Sequence, residues 1–187
     1  DAGSVHWTLT NTGTLTISGA GEIPDYSAGD APWGINYYTI VIDDNVTRIG
    51  DCAFYDSQAL AVYIPDTVTE IGMNAFYGSE LISVTIPESV KMIDYGAFRN
   101  CANLVSISVA EGVETIGDNA FRACIALEYV DFPSTIKSVG AGAFMDCQYV
   151  TRIRFAPSNH VVSMGDNAFT NCWRLYDITL PETLEKI

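Results

Sequence analysis

One pattern of apolar and polar residues recurs along most of this chain. In the copy at residues 81–98, Val84 and Ile86 alternate with polar side chains, which is the period of a half-buried β-strand. Pro87 then ends the strand, because proline has no backbone N–H to donate to a ladder. A second short apolar segment returns the chain to the core. Each copy therefore predicts one strand and one shorter return segment.

An Ala-Phe pair closes each copy and sets the period of the repeat. A fixed period of this length is typical of solenoids, in which each unit buries its apolar face against its neighbours. We expect each pair to begin a short helical turn whose Phe fills the interior. The pairs, spaced 22, 22, 23, 23 and 25 residues apart, are Ala53-Phe54, Ala75-Phe76, Ala97-Phe98, Ala120-Phe121, Ala143-Phe144 and Ala168-Phe169.

The inward positions of the strands repeat with little change. They predict seven strands, one per coil, that stack side by side in a parallel sheet at ~4.8 Å per strand. The rest of each repeat supplies the crossover that parallel strands require. The inward pairs are Ile40/Ile42, Val62/Ile64, Val84/Ile86, Ile107/Val109, Val130/Phe132, Ile153/Phe155 and Ile178/Leu180.

The two ends of the chain depart from the repeat. Residues 1–36 contain two alternating segments around a turn at Gly13, so we interpret them as an N-terminal β-hairpin cap that shields the first coil. Residues 37–187 hold the repeats, as six Ala-Phe units and a truncated last coil. Because that coil has no Ala-Phe pair, we expect its edge to be uncovered and to favour further repeats or end-to-end self-association.

Four of the five cysteines occupy one position of the repeat, three residues after the Phe. Their spacing is not that of a paired zinc or redox motif. It favours a stack of small buried thiols, and a metal ladder or a set of disulfides is a less favoured alternative. The column consists of Ser57, Ser79, Cys101, Cys124, Cys147 and Cys172.

The complete repeat is close to L-x-x-V-x-I-P-x-x-V-x-x-I-G-x-x-A-F-x-x-C-x-x-L. Residues 104–127 follow it at nearly every position, with Ala110 in place of the proline. The pattern resembles the BspA-type, or Treponema pallidum-type, leucine-rich repeat family over about residues 37–187. The resemblance implies a leucine-rich repeat solenoid, with a parallel sheet on one side and short strands or helical turns on the other. It also implies a bacterial secreted or cell-surface protein involved in adhesion to host matrix proteins, without enzymatic activity.

The charge of the chain narrows the range of partners. Of 187 residues, 23 are acidic and 9 are basic, which gives a formal net charge of −14. This sign argues against binding to nucleic acid or to anionic membrane surfaces, because both require basic patches. No apolar run approaches the ~18–20 residues of a membrane helix, so we expect no membrane insertion in this segment.

Catalytic chemistry has little support in the sequence. The chain contains only two histidines, His6 and His160, and they are far apart. It has no zinc-protease, serine-hydrolase or P-loop motif. We therefore predict that the protein is not an enzyme, and we assign no metal or cofactor site.

Two columns of carboxylates have structural interpretations. The first lies just past the strand and forms a solvated edge or, alternatively, a calcium-binding rim. The second precedes the expected helical turn and is explained by helix capping. The first column contains Asp44, Asp66, Glu88, Glu111 and Glu182, and the second contains Asp51, Asp118 and Asp166.

We place a candidate binding site on the outward face of the strands. The middle of this face is small and hydroxylated, whereas Tyr and Arg, which are enriched at binding hot spots, lie toward its C-terminal end. In the alternative interpretation, Arg152 and Arg154 only neutralise aspartates on neighbouring strands. The candidate ligand-binding residues are Tyr63, Tyr129, Asp131, Arg152, Arg154 and Asp177.

Three functions are compatible with this fold. We favour a non-catalytic module that binds a protein, such as a host extracellular matrix protein or another cell-surface protein, through the sheet face or its flanking loops. A glycan-binding module would instead use aromatic residues expected to be exposed, such as Trp33, Tyr37 and Tyr38. A third alternative is a passive spacer that holds another domain away from the cell.

Overall fold

The computed structural model describes residues 5–157, 161 and 163–184, and shows a solenoid whose coils have three sides. One side is a strand of three to five residues, the second is a strand of two to four residues, and the third is a run of turns. One continuous cluster of buried apolar side chains fills the space between them. The stacked solenoid predicted from the repeat is thus confirmed.

The longer strands form the first wall. With all strands numbered in chain order, they are β1 (His6–Leu9), β2 (Thr14–Ser18), β4 (Thr39–Ile42), β6 (Ala61–Tyr63), β8 (Ser83–Ile86), β10 (Ser106–Val109), β12 (Tyr129–Phe132), β14 (Arg152–Phe155) and β16 (Asp177–Thr179). Apart from the antiparallel pair β1–β2, paired strands are parallel. The wall is interrupted between β6 and β8, where the N–H of Ile82 still donates to the carbonyl of Leu60 at 3.0 Å. The seven predicted strands are present, in two consecutive ladders.

The shorter strands form the second wall, which is a seven-stranded parallel sheet. They are β3 (Gly21–Glu22), β5 (Val46–Ile49), β7 (Glu70–Ile71), β9 (Met92–Ile93), β11 (Thr115–Ile116), β13 (Ser138–Val139) and β15 (Ser163–Met164). From β7 onward, the second residue of each strand is apolar and buried. These strands are the return segments that the repeat predicts.

The N-terminal hairpin is itself part of the stack. β1 and β2 form the predicted antiparallel pair. β2 then continues as the first parallel strand, so that Leu15 lies beside Ile40 and Ile17 beside Ile42, with all four side chains fully buried. Trp33 packs against the first repeat Phe, with ring centroids 5.6 Å apart. The hairpin therefore covers the end of the core by adding a rung to it.

The third side is a ladder of turns, and the predicted helical turn is wrong. No helix occurs in the part of the chain that the structure describes. Backbone N–H groups around the first five repeat Phe residues donate to the following coil: Phe98 donates to Ala120, and Asn100 to Arg122, both at 2.8 Å. A helix would direct these donors along its own coil, and the bonds that join successive coils on this side would be lost.

Two turn positions in each coil adopt a positive φ of 51–68°. Asn, Asp and Gly tolerate this left-handed conformation best, and Cys52 and Ala123 are the exceptions among twelve residues. The preference is visible in the sequence once the two positions are known. The other ten are Asp56, Asn74, Gly78, Gly96, Asn100, Asn119, Gly142, Asp146, Asn167 and Asn171.

The repeat Phe side chains stack inside these turns. Neighbouring ring centroids lie 5.1–5.7 Å apart, and the ring planes are within 21° of parallel. Each ring therefore contacts its equivalents in the adjacent coils, which is a favourable arrangement when the rings are offset. The Ala-Phe pair marks the rungs of this column.

The glycine that ends most of the second strands is explained by a close approach of two backbones and not by an unusual backbone conformation. None of these glycines has a positive φ. A Cβ on Gly140 would lie less than 3.0 Å from the backbone of Asp118, in the preceding coil. Glycine is therefore favoured because successive backbones approach closely here, although Asp94 holds the position in one coil. The glycines are Gly50, Gly72, Gly117, Gly140 and Gly165.

The cysteine column is a stack of buried free thiols, as its spacing favours. Each thiol donates to the carbonyl of the Phe in the preceding coil at 3.1–3.3 Å, as Cys124 does to Phe98. Ser79 directs its hydroxyl to Phe76 at 2.9 Å. Burial raises the pKa of Cys101 to about 12 and that of Cys172 to about 11. The slot therefore selects a small, neutral hydrogen-bond donor.

Replacing Gly140 with Ala should destabilise the fold, because the new Cβ would meet the backbone of the preceding coil. We expect a loss of about 2–3 kcal/mol in the free energy of unfolding, measured by urea denaturation. Gly29→Ala is the control, since no atom lies within 4 Å of a Cβ added to Gly29, which, unlike Gly140, has a positive φ. Its cost should be limited to backbone strain of about 1 kcal/mol. An equal or larger loss in Gly29→Ala would contradict the close-approach explanation.

The thiol column should make stability fall at high pH. Unfolded thiols ionise near pH 9, whereas burial raises the pKa of Cys124 well above that value. Cys124 therefore stabilises the fold fully below about pH 9 and progressively less above it. We expect Cys124→Ser to fold, because Ser79 already occupies this column. Relative to that variant, the native chain should lose up to ~1.4 kcal/mol per pH unit between about pH 9 and 11. Identical pH dependences in urea denaturation would contradict this.

Candidate functional site

Five of the six predicted site residues form one cluster on the outward face of the first wall. The strand register places Tyr129 beside Arg152 and Arg152 beside Asp177, and it places Asp131 beside Arg154. Alternation along each strand turns all five side chains away from the core. We call Tyr129, Asp131, Arg152, Arg154 and Asp177 the sheet-face cluster.

Arg152 lies at the centre of the sheet-face cluster. Its guanidinium carbon is 5.0 Å from the centroid of the Tyr129 ring, within the range of a cation–π contact. Its Nη2 donates to Oδ2 of Asp131 at 2.9 Å. Among the described residues, its buried Nε has no hydrogen-bond partner. The side chain is thus held on two sides, and its buried Nε–H donor is unused.

Arg154 forms the second ion pair of the cluster, with Nη2 3.2 Å from Oδ2 of Asp177. The two side chains are 57% and 37% exposed, and exposed pairs of this kind contribute ~0.2–1 kcal/mol to stability. The pairing of Arg152 and Arg154 with aspartates agrees with the structural interpretation. It also means that the cluster contributes little to the stability of the fold.

Tyr63, the sixth predicted residue, is separated from the others. It lies on β6, and β8 and β10 stand between β6 and β12, which amounts to three strand spacings or ~14 Å. Its side chain is 56% exposed and lines an open groove of about 600 Å³ together with Asp66 and Glu88. The small side chains of β8 and β10 form a low floor between Tyr63 and the sheet-face cluster.

Four large residues that the sequence analysis did not predict as site residues lie just before β14 and β16, beside the cluster. Trp173 and Tyr176 are 74% and 83% exposed, and the guanidinium carbon of Arg174 is 4.3 Å from the Tyr149 ring centroid. We call these four residues the aromatic corner. The sequence did contain one indication of this corner: Trp173 occupies an outward repeat position at which an earlier coil has Ala102.

The aromatic residues predicted to contact a glycan are mostly inside the protein. Trp33 and Tyr37 are 5% and 0% exposed, and the Trp33 Nε1–H donates to the carbonyl of Ala53 at 3.0 Å. Only Tyr38 of the three is exposed. That placement is wrong for Trp33 and Tyr37, because the first coil uses their rings to cover its core.

Among the described residues, neither carboxylate column brings three metal-ligating side chains together. In the described ranges, no three His, Cys, Asp or Glu side chains lie close enough together to hold a metal ion. In the column past the strand, Glu111 accepts the backbone N–H and the hydroxyl of Ser134 at 3.1 and 2.7 Å. These bonds lower the pKa of Glu111, so at least this member has a structural role.

The second carboxylate column does not cap helices. Asp118 accepts the backbone N–H of Ala141, in the following coil, at 2.7 Å, and Asp51 accepts that of Met73 at 2.9 Å. The column therefore satisfies backbone donors across the coil boundary rather than at a helix terminus.

The last described coil presents apolar side chains to solvent. Ile178 and Leu180 occupy inward positions, yet each is 42% exposed. Self-association through this coil stays a prediction. The described ranges also contain no helix with the length and apolar character needed to cross a bilayer.

Comparison with known proteins identifies the family of the repeats and shows solved structures with a similar fold. Residues 33–151 and 91–187 match the model of the family described as BspA type leucine rich repeat region, in six copies. A T. pallidum leucine-rich repeat protein of known structure is 23% identical with a TM-score of 0.68, covering 92% of this chain and 88% of that one. The pneumococcal vaccine antigen PcpA is 15% identical with a TM-score of 0.58, covering 98% and 70%. At these identities the structural likeness concerns the fold alone. No curated protein matches the chain.

Proposed function

The chain belongs to the BspA-type leucine-rich repeat family, and we propose that it is a non-catalytic module that binds a protein partner. The proposed contact surface is the sheet-face cluster together with the aromatic corner. One observation carries the proposal: exposed Trp, Tyr and Arg side chains are concentrated at one end of a face that, apart from Tyr63, has mostly small side chains. These residue types dominate the energetics of protein interfaces.

The geometry of the cluster favours binding in a second way. Arg152 is held by Tyr129 and Asp131 before any partner arrives. A side chain that is already ordered loses less conformational entropy on binding than a mobile one. The alternation of Asp and Arg also offers a defined charge pattern, which supports specificity more than raw affinity.

The chemistry of this surface supports binding rather than catalysis. It contains no histidine or cysteine, and its two arginine–aspartate pairs engage both acids. No nucleophile paired with a general base is therefore present among the nine residues of the two groups.

The location and the partner class follow from the family resemblance. We place the protein outside the bacterial cell or on its surface, where the partner would be a host extracellular matrix protein or another cell-surface protein. Protection of the chain from externally added protease on intact cells would contradict the surface location.

Replacing Tyr129, Arg152 and Arg154 together with Ala should weaken partner binding without unfolding the domain. Surface plasmon resonance against immobilised fibronectin, fibrinogen, laminin and collagen provides the measurement. We expect the native chain to bind at least one of these, and the triple variant to bind at least about tenfold more weakly, as loss of hot-spot residues does. A Trp173→Ala, Tyr176→Ala double variant tests the aromatic corner in the same way.

Lys137→Ala is the matched control for the triple variant. Lys137 also forms an exposed ion pair between coils, with Glu114 at 2.7 Å, but it lies beside the second wall. Its binding should equal that of the native chain. Unchanged affinity in the triple variant would contradict a contact surface at the sheet-face cluster. No binding of the native chain to any of the four proteins would contradict the proposed partner class.

A further inference from the structure

The turn side carries a second surface with different chemistry. The residue that follows the repeat Phe is half-buried on this side, and in four successive coils it is Tyr55, Tyr77, Arg99 and Arg122. We call these four residues the turn-side ladder. The two tyrosine rings are stacked, with centroids 4.7 Å apart and planes 4° from parallel. The Arg99 guanidinium carbon is 5.8 Å from the Tyr77 centroid, so the stack continues from the rings into the arginines.

Arg99 is a cation that has no counter-charge among the described residues. Arg48 contacts three carboxylates, and the two sheet-face arginines contact one each. Within the described residues, no carboxylate oxygen lies within 4.0 Å of an Arg99 nitrogen, and its buried Nε has no hydrogen-bond partner. In a chain with 23 acidic residues, an arginine left with unused donors stands out as a group available to an external anion.

Arg122 provides a second cation one rung away. The Phe rings beneath Arg99 and Arg122 are 5.2 Å apart, and like charges rooted this close repel each other. The two side chains diverge: Arg99 lies over Tyr77, while Nε of Arg122 is 3.4 Å from Asp146. That ion pair is long, and Asp146 also accepts the side-chain amide of Asn171 at 2.7 Å. If Arg122 turns toward an anion, Asp146 therefore still has a hydrogen-bond partner in Asn171.

The surroundings of the two arginines supply neutral hydrogen-bonding groups. The Asn100 side-chain amide donates to the hydroxyl of Tyr77 at 2.7 Å, so that hydroxyl still has its own proton to donate. Nearby acids are already engaged: Asp94 and Asp118 each accept a backbone N–H, and Asp146 contacts Arg122 and Asn171. None of these acids forms an ion pair with Arg99, which therefore stays available to an external anion although the whole chain is acidic.

We propose that the turn-side ladder binds an acidic polysaccharide, whose carboxylate or sulfate groups lie between Arg99 and Arg122. Guanidinium groups recognise such oxyanions through paired hydrogen bonds. Tyr77 and Asn100 offer the mixed donors and acceptors that sugar hydroxyls require. A polymeric ligand fits because the two tyrosines and the two arginines lie on four successive coils of the stack. No residue of this surface belongs to the sheet-face cluster, so the two binding functions are independent.

Isothermal titration calorimetry with two defined probes tests the proposal: a heparin oligosaccharide, which carries sulfates, and a hyaluronan oligosaccharide, which carries only carboxylates. At about 0.15 M salt, where long-range attraction is largely screened, the native chain should bind at least one of them. Arg99→Gln should weaken binding at least about tenfold, as expected for loss of charged hydrogen bonds. Arg99→Lys should restore only part of the affinity, because lysine has no bidentate geometry.

Arg174→Gln is the matched control, since Arg174 also stacks on a tyrosine and has no carboxylate partner among the described residues. It removes the same charge from the aromatic corner and should change glycan affinity less than about twofold. The sheet-face double variant Arg152→Ala, Arg154→Ala should bind the glycan like the native chain. That result separates this proposal from the protein-binding one.

Three outcomes would overturn the inference. The first is no binding of either oligosaccharide at this salt concentration. The second is an equal loss in Arg99→Gln and Arg174→Gln, which would indicate charge attraction without a site. The third is tighter binding of polyglutamate than of either oligosaccharide, which would identify the ligand as an acidic protein segment.

Discussion

Hydrogen bonds between successive coils fix the spacing and the alignment of every repeat in this solenoid. Backbone groups join each coil to the next on all three sides: the two walls and the ladder of turns. Every coil is therefore held at nearly the same spacing from its neighbours, visible in Phe rings 5.1–5.7 Å apart. At that distance an inward side chain must fit directly over its equivalent. The Phe column, the thiol column and the close-packed glycines all follow from this requirement.

The same constraint leaves the outward positions free to differ. On the first wall, Arg152 and Arg154 are matched by Asp131 and Asp177 on neighbouring strands, so that surface is locally balanced and pre-arranged. On the turn side, Arg99 has no described carboxylate partner. A balanced surface suits a partner with its own mixed charges, whereas an unbalanced one suits an anion. One frame thus presents two surfaces that differ in chemistry and share no residue.

Predictions about the site were accurate where they depended on register and inaccurate where they depended on side-chain contacts. Period and alternation correctly placed Tyr129 beside Arg152, because equivalent residues of a stacked repeat must be neighbours. The predicted strand order also put two strands with small outward residues between Tyr63 and the cluster, as the structure does. By contrast, the glycan-binding alternative predicted that Trp33 is exposed, whereas its side chain covers the first rung of the core. A cap follows no repeat, so its packing cannot be deduced from the period.

The repeat, the strands, the inward columns and the N-terminal hairpin can be read from the amino-acid pattern, because apolar side chains that recur at a fixed period can be buried together only by stacking. Packing between coils, in contrast, makes the Ala-Phe segment a series of turns rather than a helix, since its backbone donors bond to the next coil. The preference for glycine at Gly140 also arises from packing, because its backbone lies close to that of Asp118, 22 residues earlier in the chain. Which arginine has an acidic partner was decided in the same way. Each of these features arises between coils, where the contact distances depend on the packed structure and not on the order of residues within one repeat.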